Sequence, residues 1–589
     1  MNFRKAKTAC INLSSLAFVA GLVIFVLQGR GARQNFGYID PNIYSGLALD
    51  YQSLVSELGM NYYATRVWHV LPLSLSSALF GNFGPVFYLM LIAGFSTLVA
   101  FKFINQLLPN QSLTLKFGFA LMAVSVPSYL FDSNWTDEGI SYIFAIFLTL
   151  YLASKFDKSK WYSISFGLLT AVTVNTHLKS AVLVAAIFLS VVVVAAFNQK
   201  RIIHLLINVL LGLCIGSVIT EIIFQIMNPR GFLPLSWYYQ VSLFLKLNKG
   251  GNGEWISLWQ LYRQGTFPYF VLAPLLASSY LLINIRKIFP KKNKSVPIQL
   301  QTLYVFSILG TLVLFLYQEV LKFPVVTTFW YYGTFNVVLF ALLATMTWMY
   351  YINLDVKAKM SVLLFWLLPV VTVLPVWIIL PGSSFDIGKD THSQLINGAF
   401  VSFALVIAFV FIREAKWGKS LHLLVLLGFC VLSISQFGNR TIPFRWRDVG
   451  DFKVETKLFS DEKWLLDNWS EIEGGNFKKD VAIWYENDPN GLLGSVQSAA
   501  IFADTRLTLN NVLLDTSFEE WVNLNGRLKA VIYMFTYHEG DNREGSKESI
   551  DYFASKGCTA RVTTVGRPPY RDIEKSPSGE IALLNLFCD

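Results

Sequence analysis

Ionisable side chains stand at the borders of long apolar segments in the N-terminal third of the chain. The acidic ones are Asp40, in YIDPNIYSG, and the neighbours Asp137 and Glu138, in FDSNWTDEGIS. The basic ones are Arg66 and His69, in ATRVWHVLP, and His177 and Lys179, in TVNTHLKSAV. Charges at such positions are costly unless they are paired, solvated or used in function. These residues are therefore the candidates for a functional site.

The acidic candidates have a structural and a chemical interpretation, and the residues alone leave both open. An Asp followed by Pro41 is a good N-cap for the amphipathic helix that IYSGLALDYQ predicts. Alternatively, Asp40 faces a second acidic cluster and acts as a general base that takes a proton from a hydroxyl. Asp137 and Glu138 would equally stabilise the positive N-terminal end of a helix that begins at GISYIF.

The basic candidates also have two interpretations. Arg66 and His69 are three positions apart, so on a helix they would share one face, and that face would contact solvent or lipid headgroups if it had no other role. His177 and Lys179 interrupt an apolar run, which is costly unless they line a cavity or lie at the outer surface.

Two further features lie beyond residue 200. Glu221 stands inside an apolar segment, where pairing with Arg or Lys would explain it. The segment from 228 to 264 is rich in aromatic residues, among them Trp237, Trp255 and Trp259. Such residues are typical of an interfacial belt, although they could also stack on a sugar ring.

The composition indicates a membrane protein with many spans. Of the 589 residues, 54% are hydrophobic and 15% are charged, whereas soluble domains carry about 25% charged residues. The mean hydropathy is +0.48. A net charge of +10 would suit a nucleic-acid partner, but Lys and Arg concentrate in short loops between apolar segments, as the positive-inside rule describes. A nucleic-acid partner is therefore excluded.

About thirteen apolar segments have the length of roughly 17 to 25 residues that a membrane span needs. We expect them at residues 8–28, 84–107, 114–131, 138–154, 161–176, 178–197, 202–226, 265–285, 297–317, 327–351, 360–380, 395–412 and 420–436. The run from Trp161 to Phe197 is predicted to be two short helices that meet at the outer surface. With the N-terminus in the cytoplasm, every basic loop falls on the cytoplasmic side.

The composition changes after about residue 436, where charge rises. Alternating patterns predict strands at VAIWY, KAVIYMF, CTARVTTVG and EIALLNLF, with helices between them. We therefore expect a transmembrane domain over residues 1–436 and a soluble α/β domain over residues 437–589. An odd number of spans puts this second domain outside the cytoplasm.

Two cysteines of the second domain are candidates for a disulfide. Cys558 begins one predicted strand and Cys588 ends another. Neighbouring antiparallel strands would bring these ends together, and compartments outside the cytoplasm allow disulfides to persist. The alternative is two unpaired thiols.

Four stretches of the first 200 residues resemble the GT-C superfamily of membrane glycosyltransferases. They are IDPNIYSGLAL, YYATRVWHVLPLSLSSALFG, SNWTDEGISYIFAIFLTLYLA and GLLTAVTVNTHLKSAVLV. The layout of about thirteen spans with an outer C-terminal domain is similar to that of the aminoarabinose and protein mannosyl transferases. The first loop has Asp-Pro where many protein mannosyltransferases have Asp-Glu, so the resemblance implies neither the sugar nor the acceptor.

The resemblance implies an α-helical polytopic enzyme that transfers a sugar from a polyprenyl-phosphate donor to a glycan, lipid or protein acceptor. The reaction would take place on the extracytoplasmic face of a membrane, which we expect to be a bacterial inner membrane. A lipid-linked saccharide flippase or a secondary transporter is the alternative, since these proteins also have many spans and buried charges. Transporters often show repeated halves, and no internal repeat is evident in this sequence.

The resemblance also implies roles for the candidate residues. The segment from Tyr38 to Gly81 would be the reaction loop, with Asp40 as the catalytic base. Asp137 and Glu138 would form a second acidic site, and they would be the ligands if the enzyme uses a divalent metal. The cations would stabilise the phosphate as its charge grows on leaving; they are Arg66, His69, His177 and Lys179.

Overall fold

The computed structural model describes residues 3–28, 63–80, 84–109, 139–228, 235–249, 296–320, 481–485, 530–536, 557–566 and 579–588, with isolated positions between them. These residues form helices and one β-sheet. In chain order the helices are α1 Phe3–Gln28, α2 Val67–Phe80, α3 Gly84–Leu107, α4 Gly139–Ala153, α5 Lys160–Thr176, α6 Ser180–Phe197, α7 Ile202–Met227, α8 Ser236–Lys249 and α9 Ile298–Glu319.

Several of these helices are suited to a bilayer. Within the described part of the chain, α3, α6, α7 and α9 are long and apolar enough to cross a membrane. Only 22% of the most apolar window of α7 is buried inside the protein, and side chains such as Ile203, Leu210 and Ile226 are exposed. An apolar surface of this extent requires a hydrocarbon environment. The chain is an integral membrane protein.

Each predicted span that falls within the described residues is a helix. The segment predicted at 84–107 is α3, and the segment predicted at 202–226 is α7. The run from 161 to 197 is two helices, α5 and α6, as predicted. The predicted spans at 114–131, 265–285, 327–351, 360–380, 395–412 and 420–436 lie wholly or largely outside the described residues, so the total of thirteen stays a prediction.

The break between α5 and α6 has a local cause. α5 begins after Ser159, whose Oγ accepts a hydrogen bond of 3.3 Å from the backbone N–H of Trp161. It ends before His177, whose extended backbone, with φ −156° and ψ 116°, cannot continue a helix. Ser180 then begins α6 and donates from its Oγ to the carbonyl of Thr173 over 2.9 Å. The turn between the two helices is therefore held closed.

Hydrogen bonds bring several helix ends together at one end of the bundle, which we call the cluster end. Trp68 of α2 donates from its indole nitrogen to Thr220 Oγ1 of α7 over 2.7 Å. Asn175, near the end of α5, donates to the carbonyl of Thr65, which precedes α2. Ser141, in the first turn of α4, contacts Tyr88 in the first turns of α3. The cluster end thus holds the beginnings of α2, α3 and α4 and the ends of α5 and α7.

The opposite end of the same helices carries lysines, and we call it the basic end. Gln106 of α3 donates to the Tyr151 hydroxyl of α4 over 3.1 Å. Lys155 follows α4, and the charges of Lys102 and Lys158 act on its ammonium. Lys116 donates to Asn105 Oδ1 and to the carbonyl of Pro109, both over 2.9 Å. Charged side chains are therefore grouped at one level of the bundle.

The pair α5 and α7 is packed at backbone distance. A Cβ at Gly212 of α7 would collide with the carbonyl oxygen of Ile164, and one at Gly167 of α5 would collide with the carbonyl oxygen of Val209. Gly216 lies one turn further along α7, and a Cβ at this position would lie only 2.7 Å from the carbonyl oxygen of Leu168. Small residues four apart are the usual means by which membrane helices approach closely, and here they join the helix that ends at His177 to the helix that carries Glu221.

Four strands near the C-terminus form one mixed sheet. They are β1 Val481–Tyr485, β2 Ala530–Thr536, β3 Cys558–Gly566 and β4 Gly579–Cys588, in the spatial order β1-β2-β4-β3. β1 pairs with β2 in parallel, while β4 is antiparallel to both β2 and β3. The strands lie where the sequence predicts them. The predicted helices between β1 and β2 and the domain boundary at residue 436 lie outside the described residues, so the α/β domain stays a prediction.

The register of β3 and β4 bears on the two outer cysteines. Cys558 and Cys588 are directly opposite partners in the antiparallel ladder. Directly opposite Cα atoms in such a ladder are about 4.5 or 5.5 Å apart, which falls within the range of roughly 4.4 to 6.8 Å that a disulfide spans. The backbone is therefore compatible with a Cys558–Cys588 disulfide, which remains a prediction.

Candidate functional site

Arg66 is buried at the cluster end, with 2% of its surface exposed. Its Nη1 donates to the hydroxyl of Tyr44. The guanidinium carbon lies 5.8 Å from the centre of the Tyr44 ring and 5.9 Å from that of Tyr63, so two aromatic faces attract the cation. The interpretation of Arg66 as part of a face open to solvent or lipid headgroups is therefore wrong, because Tyr44 and Tyr63 pack against its guanidinium and the side chain is buried.

His69 lies one turn further on, in the first turn of α2, and is fully buried. Its Nδ1 is 2.9 Å from Ser141 Oγ, and the same hydroxyl is 3.0 Å from the hydroxyl of Tyr88. The ring also packs edge-on against Tyr44, with centroids 4.6 Å apart. Ser141 thus links α4 to α2 and α3 at the position of His69.

The residues before α2 are anchored as well. Tyr51 donates from its hydroxyl to the carbonyl of Ala64 over 2.9 Å. Burial raises the pKa of Tyr51 far above its usual value. The hydroxyl therefore keeps its proton and donates it to this carbonyl. This contact fixes the backbone two residues before Arg66.

His177 and Lys179 occupy the turn between α5 and α6. His177 is buried, and its Nδ1 accepts a 3.1 Å hydrogen bond from the backbone N–H of Lys179. A nitrogen that accepts carries no proton, so a neutral His177 has its proton on Nε2. The ring packs against Tyr142, the neighbour of Ser141, at 5.0 Å between centroids. The structure therefore brings Arg66, His69 and His177 into one buried cluster, and Lys179 lies half-buried at its edge.

Two buried amides join α5 and α8 to the residue before Arg66. Asn175 Nδ2 and Gln240 Nε2 both donate to the carbonyl of Thr65, over 3.3 and 3.1 Å. Gln240 Nε2 also lies 3.1 Å from the carbonyl of Asn175. The sequence marks Asn175 as a polar interruption of an apolar run, but it does not link Gln240 to this site, since Gln240 and Thr65 are 175 positions apart.

Glu221 holds the first residue of α8. Its Oε2 accepts from the backbone N–H and the hydroxyl of Ser236, over 2.9 and 2.8 Å, and its Oε1 accepts from Gln225 over 2.7 Å. The expectation that Glu221 pairs with Arg or Lys is corrected by these contacts. A carboxylate at a helix N-terminus stabilises the helix through its positive end, which explains Glu221 without a basic partner.

The acidic candidates lie outside the described residues. Asp40 precedes Tyr44, the partner of Arg66, by four positions, and Asp137 and Glu138 directly precede Gly139, where α4 begins. The described part of the chain contains no group of three or more His, Cys, Asp or Glu side chains that could hold a metal ion. A metal role for Asp137 and Glu138 stays a prediction.

The segment from Tyr38 to Gly81, which we expected to be the reaction loop, contains a buried helix. Residues 67–80 form the 14-residue helix α2, even though Pro72 lies inside it. Its inner face is buried through Val67, His69, Val70 and Leu73. The sequence signal is a short apolar run, too short for a span of about 20 residues, so this helix belongs to the body of the protein and fixes the position of His69.

The fold is similar to that of a solved membrane protein. ArnT from Cupriavidus metallidurans, in the crystal structure bound to undecaprenyl phosphate, is 10% identical and superimposes with a TM-score of 0.53, covering 96% of this chain and 97% of that one. The apo state of the same protein gives 11% identity and a TM-score of 0.49 over 98% of both chains. ArnT is a GT-C glycosyltransferase. This chain has a GT-C-like fold.

The sequence comparisons add no closer relative. No protein-family model matches the chain, and no curated protein matches it. The predicted resemblance to the GT-C superfamily is nevertheless confirmed at the level of the fold, because the helical arrangement is shared over nearly the whole of both chains.

Proposed function

We propose that this protein is an integral-membrane glycosyltransferase that transfers a sugar from a polyprenyl-phosphate donor to an acceptor on the extracytoplasmic face. The observation that carries the proposal is the burial of Arg66 between Tyr44 and Tyr63 at the cluster end. It stands in a chain whose fold resembles that of ArnT, which has been crystallised with undecaprenyl phosphate. Arginine is the side chain best suited to recognise a phosphate group, because its planar guanidinium matches the geometry of the phosphate oxygens.

The chemistry of the cluster suits a phosphate. A guanidinium binds phosphate oxygens in a bidentate manner, and the hydroxyl of Tyr44 and the rings of Tyr44 and Tyr63 hold this one in place. His69 and His177 would contribute their imidazole rings, which the contacts with Ser141 and with the backbone N–H of Lys179 hold in place. Lys179 would add a second positive charge at the edge of the cluster.

The proposed reaction is a single displacement at the anomeric carbon. Asp40 accepts the proton of the acceptor hydroxyl, the hydroxyl oxygen forms the new bond to the anomeric carbon, and the bond from that carbon to the phosphate oxygen breaks. Polyprenyl phosphate leaves with the electron pair, and the cations of the cluster stabilise its growing charge. Asp137 and Glu138 form the second acidic site and would ligate a divalent metal if the reaction uses one.

The distribution of charge supports the proposed orientation. The basic end carries Lys102, Lys116, Lys155 and Lys158, and the positive-inside rule assigns such an end to the cytoplasm. The cluster end then faces the other side of the membrane. In this orientation the N-terminus is cytoplasmic, about thirteen spans follow, and the C-terminal α/β domain is extracytoplasmic in a bacterial inner membrane.

The test is a donor assay on the purified full-length protein in lipid nanodiscs. It is incubated with undecaprenyl-phosphate-linked glucose, mannose, galactose, arabinose and N-acetylglucosamine, each with a mixture of glycan, lipid and peptide acceptors. Release of undecaprenyl phosphate from one donor, dependent on Arg66, supports the proposal. Movement of an intact donor across a vesicle bilayer without release would assign the protein to the flippases or transporters instead.

A further inference from the structure

The two buried amides beside Arg66 have one atom each that the protein does not satisfy. Asn175 has no exposed surface and Gln240 has 1%. Asn175 Oδ1 and Gln240 Oε1 find no hydrogen-bond partner among the described residues, and neither does the indole nitrogen of Trp237. Buried polar atoms are nearly always hydrogen-bonded in native proteins, so this group of three atoms calls for an explanation.

The orientation of the two amides follows from their neighbours. The atoms that face them are the backbone carbonyls of Thr65 and Asn175, and a carbonyl oxygen can only accept a hydrogen bond. The side-chain nitrogens must therefore point to these carbonyls, and the side-chain oxygens must point away from them. Turning either amide round would set two acceptors against each other. Both oxygens are thus fixed as acceptors that need a donor.

Trp237 adds a donor and an aromatic ring to the same helix face. It lies three positions before Gln240 on α8, so the two side chains are neighbours on the helix surface. Two fixed acceptors, one indole N–H and one flat apolar ring are the groups that recognise a sugar, whose hydroxyls donate and accept and whose C–H face stacks on aromatic rings. A purely apolar lipid chain would leave all three polar atoms unsatisfied.

We propose that Asn175, Gln240 and Trp237 bind the hydroxyl groups of a sugar ring and thereby select which sugar is transferred. This inference rests on the proposed function, in which Arg66 binds the donor phosphate. Thr65, the common acceptor of both amides, directly precedes Arg66 in the chain, so the site adjoins the phosphate to which the donor sugar is attached. Sites that hydrogen-bond a substrate hydroxyl reject analogues that lack it far more strongly than apolar pockets do.

The experiment compares binding of undecaprenyl phosphate with binding of the undecaprenyl-phosphate sugars by full-length protein in nanodiscs. Gln240→Met removes the amide and keeps the length of the side chain, while Trp237→Phe removes the N–H and keeps a ring. Each should weaken binding of the preferred sugar donor about 5-fold or more and leave binding of undecaprenyl phosphate within about 2-fold, as loss of one hydrogen bond predicts. The preference for that donor over its deoxy analogues should shrink in parallel.

Gln301→Met is the matched control. Gln301 is also a buried glutamine, but its Nε2 donates to the carbonyl of Val296 over 3.2 Å and its Oε1 accepts from Asn198 over 2.6 Å. Both of its amide atoms are therefore satisfied within the protein. This variant should leave the relative affinities of the sugar donors unchanged, whatever its effect on stability.

The remaining outcomes separate the possible sources of the sugar and the two proposals. A higher acceptor KM with unchanged donor binding in Gln240→Met would assign the ring to a glycan acceptor. Unchanged binding and KM in both Gln240→Met and Trp237→Phe would overturn the inference, because water would then satisfy the three atoms.

If wild-type protein does not bind undecaprenyl phosphate, the proposed function fails. Methyl glycosides of the same sugars, detected by saturation-transfer NMR, then test the amide site alone: loss of signal in Gln240→Met supports it, and no signal with wild type refutes it.

Discussion

Cys558 lies directly opposite Cys588 in the antiparallel ladder of β3 and β4. We predict a disulfide between them, which closes a loop of about 30 residues and stabilises the fold by roughly 3 to 4 kcal/mol in the chain-entropy model. Alkylation of folded protein without reductant, followed by mass spectrometry, should leave Cys558 and Cys588 unlabelled, whereas both should be labelled after reduction and unfolding. Labelling of both without reductant would rule out the bridge and weaken the extracytoplasmic assignment of this domain.

Asp40→Asn should abolish sugar transfer while binding of undecaprenyl phosphate persists. An amide cannot accept the acceptor's proton, but Asn is as good an N-cap as Asp, so a structural role alone would survive the change. Product formation and lipid binding are measured on the same preparation, with Asp157→Asn, an exposed site at the basic end, as the control. Wild-type turnover in Asp40→Asn would remove this residue from the mechanism.

Arg66→Lys should weaken binding of undecaprenyl phosphate by roughly 10- to 100-fold, the loss expected for hydrogen bonds to a charged group. The ammonium keeps the charge but lacks the planar fork that Tyr44 and Tyr63 hold. Lys179→Ala should weaken binding less, since Lys179 lies at the edge of the cluster. Fluorescence titration with the lipid measures both.

The controls for these cations are the exposed residues Arg201 and Lys158. Arg201→Lys and Lys158→Ala should bind undecaprenyl phosphate as wild type does. If Arg66→Lys and Lys179→Ala also bind like wild type, neither residue contacts the donor phosphate.

The stability of the basic end should depend on alkaline pH through Lys155. Burial lowers the pKa of Lys155 below its ordinary value, an effect that Tyr162 partly opposes and that the charges of Lys158 and Lys102 strengthen. The unfolded chain therefore binds more protons than the native protein between the lowered pKa and the ordinary one, and native stability rises with pH in that window.

The Lys155→Met variant has no ionisable group at this position and therefore serves as the reference. The midpoint of thermal unfolding of wild type, relative to that of Lys155→Met, should increase as pH rises towards the ordinary lysine pKa. A difference that is constant or decreases with pH would show that the ammonium of Lys155 is not destabilised by burial.

Gly212→Ala should lower the free energy of unfolding by about 1 to 3 kcal/mol, the usual cost of forcing an extra group into a packed contact. The new methyl group would meet the backbone of Ile164, which cannot move aside. Gly310→Ala is the control, because its Cβ would meet the side chain of Val338 at 3.0 Å and a side chain can adjust. SDS-induced unfolding compares the two, and equal effects would mean that α5 and α7 are not packed at backbone distance.

The sequence predicted the long apolar helices well and the short helices α2 and α8 poorly. α3 occurs at its predicted bounds because a run of 24 residues without a charge other than Lys102 has no alternative in a membrane. α2 and α8 were not predicted as packed helices, since 14 residues each are too few for a span and their partners are distant in sequence.

The sequence likewise identified some residues of the candidate site and missed others. Arg66, His69 and His177 could be selected as candidates because charged or titratable groups are rare in apolar segments. Ser141, Tyr88 and Gln240 carry no such signal, because hydroxyl and amide side chains are common in membrane helices. Ser141 meets His69 across 72 positions, a contact that only the packing of α2 against α4 creates.

The close contact of α5 with α7 has a mechanical consequence. Helices that touch through their backbones cannot slide or rotate against each other without first separating, so α5 and α7 move as one rigid body. His177 and Glu221 keep a constant separation in any motion of this body. Among the described residues, hydrogen bonds tie α8 to this body: Gln240 donates to the carbonyl of Asn175, and Ser236 donates to Glu221. Such bonds can break and re-form without separating packed backbones, so we expect relative motion at the cluster end to occur between α8 and the fixed frame of α5 and α7.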